Sequence, residues 1–137
     1  MSLLSKALLL ASTALVLACS SSPPDGINQD ELTSESGSLL VTVSSAPDAL
    51  PVRGENQIFY LVKSSATGAP VDGLALSMTP IMPAHSHASP DVPAGVGLGG
   101  GSYRFDDVLL SMPGLWELRT TVAGSPEDHF TPRFEVE

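Results

Sequence analysis

The sequence sets the expectation of an all-β fold, and three observations set it. Short apolar runs recur along the chain, each about the length of a strand and several alternating with polar residues. Clusters of Gly, Pro, Ser and Asp punctuate them. No stretch after the first residues carries helical periodicity with caps.

Residues 1–18 read as an export signal: Lys6 supplies positive charge, and Leu8 to Ala18 is an apolar run too short to span a bilayer. The run ends in Val16-Leu17-Ala18-Cys19, which resembles a bacterial lipobox. In lipoproteins of that kind the cysteine is lipid-modified and becomes the mature N-terminus, so Cys19 is the expected lipidation site. An ordinary secretory signal with an incidental cysteine is the plainer alternative. Cleavage before Cys19 leaves 5 Lys+Arg against 15 Asp+Glu, a net of −10. Ser20 and Ser21, with no Asp, point to the outer membrane, facing the periplasm. Residues 19–37 are Ser, Pro, Gly, Asn, Asp and Glu with little to bury, and read as a flexible tether.

The domain is expected from Ser38 to the C-terminus, 38–137. Leu39 to Val43 is the first strand. Asn56 to Lys63 is the second, with Ile58, Tyr60 and Val62 on one face and Phe59 and Leu61 on the other, as in a central strand. Leu74, Leu76 and Met78 alternate in a third. Pro80, Pro83, Pro90 and Pro93 predict an extended segment that cannot donate regularly to a ladder. Gly95 to Gly101 reads as loose. Tyr103 to Leu110 is a strand with a bulge at Asp106-Asp107, and Met112-Pro113-Gly114 is a turn. Trp116, Leu118, Thr120 and Val122 form the cleanest half-buried strand. Phe130 to Val136 closes the chain, with Pro132 marking an edge or a bulge. About seven strands with one buried Trp predict an immunoglobulin-like β-sandwich, with a small closed barrel as the alternative.

Composition excludes several functions. The chain of 137 residues has a formal charge of −9 and its basic residues are scattered singly, so no nucleic acid is expected as a partner. A single cysteine rules out an intramolecular disulfide and a Cys-based zinc or iron–sulfur site. No G-x-S-x-G motif and no acid–base pair stands out, and Gly95 to Gly101 precedes no helix and carries no Lys, so an enzyme is not expected. Asp106 and Asp107 are adjacent and would point to opposite faces. His129 lies in an acidic turn and reads as a surface residue.

One stretch does suggest chemistry. Met78 to His87 holds two thioethers and two imidazoles within ten residues. In an extended chain His85 and His87 would project to the same side. Met78 and Met82 would need a turn at Pro80 or Pro83 to join them, and Met112 is the candidate remote donor. Thioether is soft and suits Cu(I), and imidazole suits Cu(I) or Cu(II). A His/Met set without thiolate or clustered carboxylate points to copper above zinc, and well above calcium or magnesium. The bland reading of each methionine is core filler or turn packing, and that of the His pair is an exposed accident.

Four ordered pieces carry a family resemblance: Gly54-x-Asn56, Met82-Pro83-x-His85-x-His87, Gly101-x-Tyr103 and Met112-Pro113-Gly114-x-Trp116-x-Leu118. From Gly54 onward the chain resembles the YtkA-like (FixH-related) domain family of exported bacterial proteins. The resemblance implies an immunoglobulin-like fold and a role around copper handling or cytochrome oxidase assembly. It implies a site of His85, Met82 and Met112, with Gly101 and Tyr103 structural. The chain departs from FixH-type members in lacking their membrane helix; a lipid would be its anchor. Two expectations result. The first is a lipid-anchored copper chaperone or buffer in the bacterial envelope, serving a membrane-bound cuproenzyme or other copper acceptor. The second is a structural or interaction domain without metal.

Overall fold

Period-two burial runs through almost every strand and sets the architecture. The computed structural model describes residues 31–137. Its strands are β1 (Leu32–Thr33), β2 (Leu39–Ala46), β3 (Gly54–Ser64), β4 (Leu76–Met82), β5 (His87–Ala88), β6 (Val96–Gly99), β7 (Ser102–Leu110), β8 (Gly114–Val122), β9 (Asp128–Phe130) and β10 (Arg133–Val136). A single 3₁₀ turn, Pro83–His85, joins β4 to β5. One sheet has the order β1-β2-β3-β7-β6 and the other β10-β8-β4-β5, with β9 also pairing β8. All the pairings are antiparallel. With β2, β3, β7 and β6 as strands A, B, E and D, and β4, β8 and β9–β10 as C, F and G, this is the immunoglobulin-like sandwich.

β3 lies between β2 and β7, as its two apolar faces require. Ile58, Tyr60 and Val62 are wholly buried between the sheets, while Phe59 and Leu61 are half-buried outside. Tyr60 stacks at an angle on Phe105 (centroids 5.0 Å apart) and edge-on to Phe130 (5.2 Å). Its hydroxyl meets Thr120 Oγ1 at 3.0 Å, so one hydrogen bond crosses the core from β3 to β8. Among the described residues no buried side-chain N or O lacks a partner.

Pro80 lies within β4, which runs on past the expected third strand of Leu74, Leu76 and Met78 to Met82 and stops at Pro83. Met78 N–H donates to Pro93 O, Ser89 N–H to Pro80 O and Gly95 N–H to Leu76 O. The even-numbered residues therefore turn their backbone polar groups towards the 89–95 segment, and the odd-numbered ones face β8. The missing N–H of Pro80 falls on the side away from β8, and the β4–β8 register continues from Leu76 to Ile81.

Two further segments are more ordered than their composition suggests. Val96–Gly99 is an edge strand on β7 rather than a loose loop. Leu32 and Thr33 pair with Val41 and Leu40, so the domain begins within the stretch read as tether. Asp128 holds this segment down: it accepts from Ser36 N–H at 3.0 Å and from Ser36 Oγ at 2.7 Å. The expected export signal, Cys19 and the first part of the tether lie outside the described residues.

The bulge at Asp106-Asp107 is present. Asn56 pairs with Val108 and Ile58 with Phe105, so two residues of β7 oppose one of β3, and Asp107 takes a positive φ of 56°. The last strand is broken at Thr131-Pro132, and both of its parts run along β8 at the sheet edge.

Candidate functional site

β4 delivers the methionines. Its alternation turns Leu76, Met78, Pro80 and Met82 inward and leaves Ser77, Thr79 and Ile81 half-buried on the other face. Met78 is 0 % exposed and sits within the core, so its thioether fills the sandwich. Met82 is 1 % exposed, at the end of the same inward row.

The chain then reverses. Pro83-Ala84-His85-Ser86 is a four-residue loop between Met82 and His87, whose Cα atoms are paired across the hairpin. Pro83 starts a single 3₁₀ turn, where a fixed φ and a missing N–H cost nothing. Ser86 ends it in the left-handed region, φ 53°, with its N–H on Pro83 O. His85 is therefore the exposed last residue of a turn, and not part of an extended run with His87. The hairpin bends between the two, so the backbone from His85 to His87 lacks the extended i, i+2 geometry. The His87 side chain lies outside what the structure describes.

The second half of the site is the corner between β7 and β8, where the chain crosses from one sheet to the other. Gly114 opens β8 with φ +126°, and a Cβ placed there would lie 2.6 Å from Met82 Cε. The methyl of Met82 thus rests on Gly114. The 3₁₀ turn also packs against β8. Trp116, 3 % exposed, donates its indole N–H to the Met112 carbonyl at 2.9 Å and closes the corner. Met112 is half-buried against the core. Beside it is a pocket of about 380 Å³ whose lining includes Ser89, Pro90, Leu109, Ser111, Met112 and Trp116.

The hairpin with Met82 and His85 therefore sits against the corner that carries Met112, which joins two blocks about 30 residues apart in the sequence. Met78 stays apart from them, two inward positions before Met82 with Pro80 between. Among the described residues, no group of three or more His, Cys, Asp or Glu is placed to hold an ion. Any metal held here would depend on thioether and imidazole, whose donor chemistry fits copper and does not fit calcium or magnesium. His129 is on β9, with Nε2 3.2 Å from Glu127 Oε1. Asp106 accepts from Gln57 and pairs with Arg104 on the outer face of the other sheet.

The remaining blocks have structural work. Asn56 is buried; its amide donates to the carbonyls of Val52 and Gly54, and its Oδ1 accepts from Val52 N–H, which fastens the turn into β3. Gly101 has φ +78° and packs so closely that a Cβ would lie 2.5 Å from Val62 O. Tyr103 donates to Val71 O at 2.7 Å and accepts from Leu74 N–H, which holds the crossing from β3 to β4.

Comparison with protein families finds the YtkA-like family model matching residues 33–121, from β1 into β8. The chain belongs to the YtkA-like family. Comparison with curated proteins and with solved structures gave no match. In this YtkA-like domain the four sequence blocks separate physically. Gly54-x-Asn56 and Gly101-x-Tyr103 shape connections, whereas the Met-Pro-x-His and Met-Pro-Gly-x-Trp blocks meet at one corner. The sequence reading missed Trp116 as a pocket residue and Gly114 as the seat of Met82. The i, i+2 spacing of Gly114 and Trp116 at the start of an alternating strand was the available clue.

Proposed function

We propose that this protein is a lipid-anchored, extracytoplasmic copper-binding domain, a carrier or buffer rather than an enzyme. One observation carries the reading: the Met82–His87 hairpin is folded against the corner holding Met112. Residues with thioether and imidazole groups from two segments distant in sequence thereby lie towards one end of the sandwich, which supports that reading. His85, Met112 and Met82 would hold the ion, and His87 adjoins them in the chain. Copper, when bound, would supply the cargo for a membrane-bound cuproenzyme such as a cytochrome oxidase under assembly. The protein's part would be to keep imidazole accessible on the hairpin and thioether half-sheltered at the corner. Cys19 would carry the lipid that keeps the domain at the envelope membrane.

Anaerobic Cu(I) titration of the full chain in detergent, against a competing chelator, tests this. One-to-one binding that weakens in His85→Ala supports the reading. No binding of Cu(I) or Cu(II) overturns it.

A second reading is an interaction domain without metal. Leu109 and Leu115 flank the same corner and are 45 % and 42 % exposed. Capture of a partner by copper-free protein, lost on Leu109→Ser, would favour it.

A further inference from the structure

The outer face of the β1-β2-β3-β7-β6 sheet supports an inference about how the domain sits at the membrane, which rests on the lipid anchor read at Cys19. Residues opposite one another in an antiparallel pair project to the same face. Leu40 lies opposite Lys63, Leu61 opposite Thr42 and Ser102, and Phe59 opposite Ser44 and Arg104. Arg104 in turn lies opposite Val96. All of these face outward, because the residues between them, Val41, Tyr60, Val62 and Tyr103, fill the core. Gly97 turns towards Tyr103, so its neighbours Val96 and Leu98 turn out; they are 46 % and 48 % exposed. Leu40, Phe59 and Leu61 on the same face are half-buried. A sandwich needs apolar side chains between its sheets, and five grouped on an outer face call for a partner.

The charge of this patch departs from that of the chain. The formal charge is −9, yet residues 40–44, 59–63, 96–99 and 102–104 hold no Asp or Glu. The charges on the patch are Lys63 and Arg104. Arg104 pairs with Asp106 at the border, at 2.9 Å, and Lys63 takes part in none of the ion pairs among the described residues. A twofold contact with a second copy would set these cations against their own counterparts, with no acid between them. An apolar, anionic surface complements the patch, and a phospholipid bilayer with anionic headgroups is one.

The anchor brings that surface close. Residues 20–30 separate Cys19 from Glu31. Even fully extended they reach no further than about 40 Å. The chain then joins the domain through β1, a strand of this same sheet. The encounter is therefore intramolecular, and a weak preference is enough to orient the domain.

We propose that this face lies on the anionic bilayer in which the Cys19 lipid is embedded. Phe59, Val96 and Leu98 enter the headgroup boundary, and Lys63 and Arg104 meet phosphates. β4, β5 and the His85 turn, which belong to the other side of the sandwich, are thereby turned away from the bilayer.

Cys19 is the chain's only cysteine, and the lipid takes up its thiol, so a cysteine placed elsewhere can be spin-labelled alone. The full lipidated chain is labelled through Leu98→Cys or, on the exposed edge of the other sheet, Glu135→Cys. It is placed in phosphatidylcholine vesicles with or without phosphatidylglycerol. Paramagnetic relaxation by a neutral, water-soluble nickel chelate measures access to each label. With phosphatidylglycerol, access at 98 should be severalfold lower than at 135. The difference should shrink in pure phosphatidylcholine and in Lys63→Glu. A melting temperature near that of the parent shows that each variant is folded. Equal access at the two positions overturns the bilayer assignment and leaves an acidic protein as the partner of the face. Mass spectrometry of the same sample separates the two readings: lipid on Cys19 leaves the anchor standing, and its absence removes the anchor and this inference together. Dipolar broadening between labels at 98 in dilute detergent solution overturns the assignment in favour of a second copy. A difference that neither Lys63→Glu nor the lipid charge alters overturns the part given to the cations.

Discussion

Met82 lays its terminal methyl on Gly114, where a side-chain carbon would stand 2.6 Å from Met82 Cε. This contact is the hinge between the β4–β5 hairpin and the β7–β8 corner, and it depends on residue 114 having no Cβ. The backbone there has φ +126°, a region that L residues rarely adopt. Gly114→Ala is expected to destabilise the domain by about 1–3 kcal/mol, mostly through backbone strain, because the far end of a methionine can move. In a double-mutant cycle with Met82→Ala, the alanine at 114 should cost less by about 0.5–1 kcal/mol. Urea unfolding of the four proteins reads both terms.

Gly101 is less forgiving. Its would-be Cβ faces the backbone carbonyl of Val62 at 2.5 Å and Pro70 Cβ at 2.9 Å, neither of which is a flexible chain end. The two residues are also bonded, Val62 N–H donating to Gly101 O at 2.7 Å, and Val62 O itself accepts from Val71 N–H at 2.9 Å. Gly101→Ala should cost about 3 kcal/mol or more and lower the melting temperature by well over ten degrees. A thermal melt followed by circular dichroism checks it.

Asp128 should make stability fall with acid. Burial alone would raise its carboxyl, but hydrogen bonds, led by the Ser36 hydroxyl and including the Ser36 and His129 N–H groups, outweigh that and hold it well below the usual carboxylate range. A depressed folded value means the stabilisation is complete above the unfolded carboxylate value of about 4 and is lost as pH falls towards the folded value. Asp128→Asn should therefore be less stable than the parent at pH 7, by about 2 kcal/mol, and should show a flatter dependence below about pH 4. Chemical unfolding between pH 2 and 7 tests the slope. A chain beginning at Ser38 lacks β1 and the Ser36 bonds, and should melt below one beginning at Glu31.

Tyr60 gives the opposite slope at high pH. Burial pushes its phenol far above the ordinary tyrosine range, and the hydrogen bond with Thr120 offsets this only in part. A raised folded value leaves the stabilisation intact below about pH 10 and removes it as pH rises beyond. Tyr60 should keep its proton in the folded protein above pH 10 and ionise together with unfolding, as ultraviolet difference absorbance at the phenolate band would record. Tyr60→Phe should cost about 1 kcal/mol and flatten the alkaline limb.

The fold was legible where burial repeats every second residue. Ile58, Tyr60 and Val62 inside, with Phe59 and Leu61 outside, already described a central strand, and β3 is central. The bulge at Asp106-Asp107 and the break at Pro132 were legible for the same local reason. The segment at Pro80 was legible as extended, but its place inside β4 was not, because a proline's effect depends on which side its absent N–H would face, and that side is set by the neighbouring strands. The alternation Leu74, Leu76, Met78 pointed inward at Met78. Carried through Pro80, it would have put Met82 inside as well.

The sequence by itself determined the all-β class, the central strand, the family and the two methionine-bearing blocks, because side-chain alternation and turn chemistry are local properties of the chain. The tertiary structure alone decided where the candidate residues lie. It buried Met78, seated Met82 on Gly114, exposed His85 on a 3₁₀ turn and placed Met112 beside the Trp116 ring. It also drew Leu32 and Thr33 into the domain, through a bond from Ser36 to Asp128 that spans 92 positions. Contacts at such separation leave no period in the sequence; they arise from two sheets closing on one core.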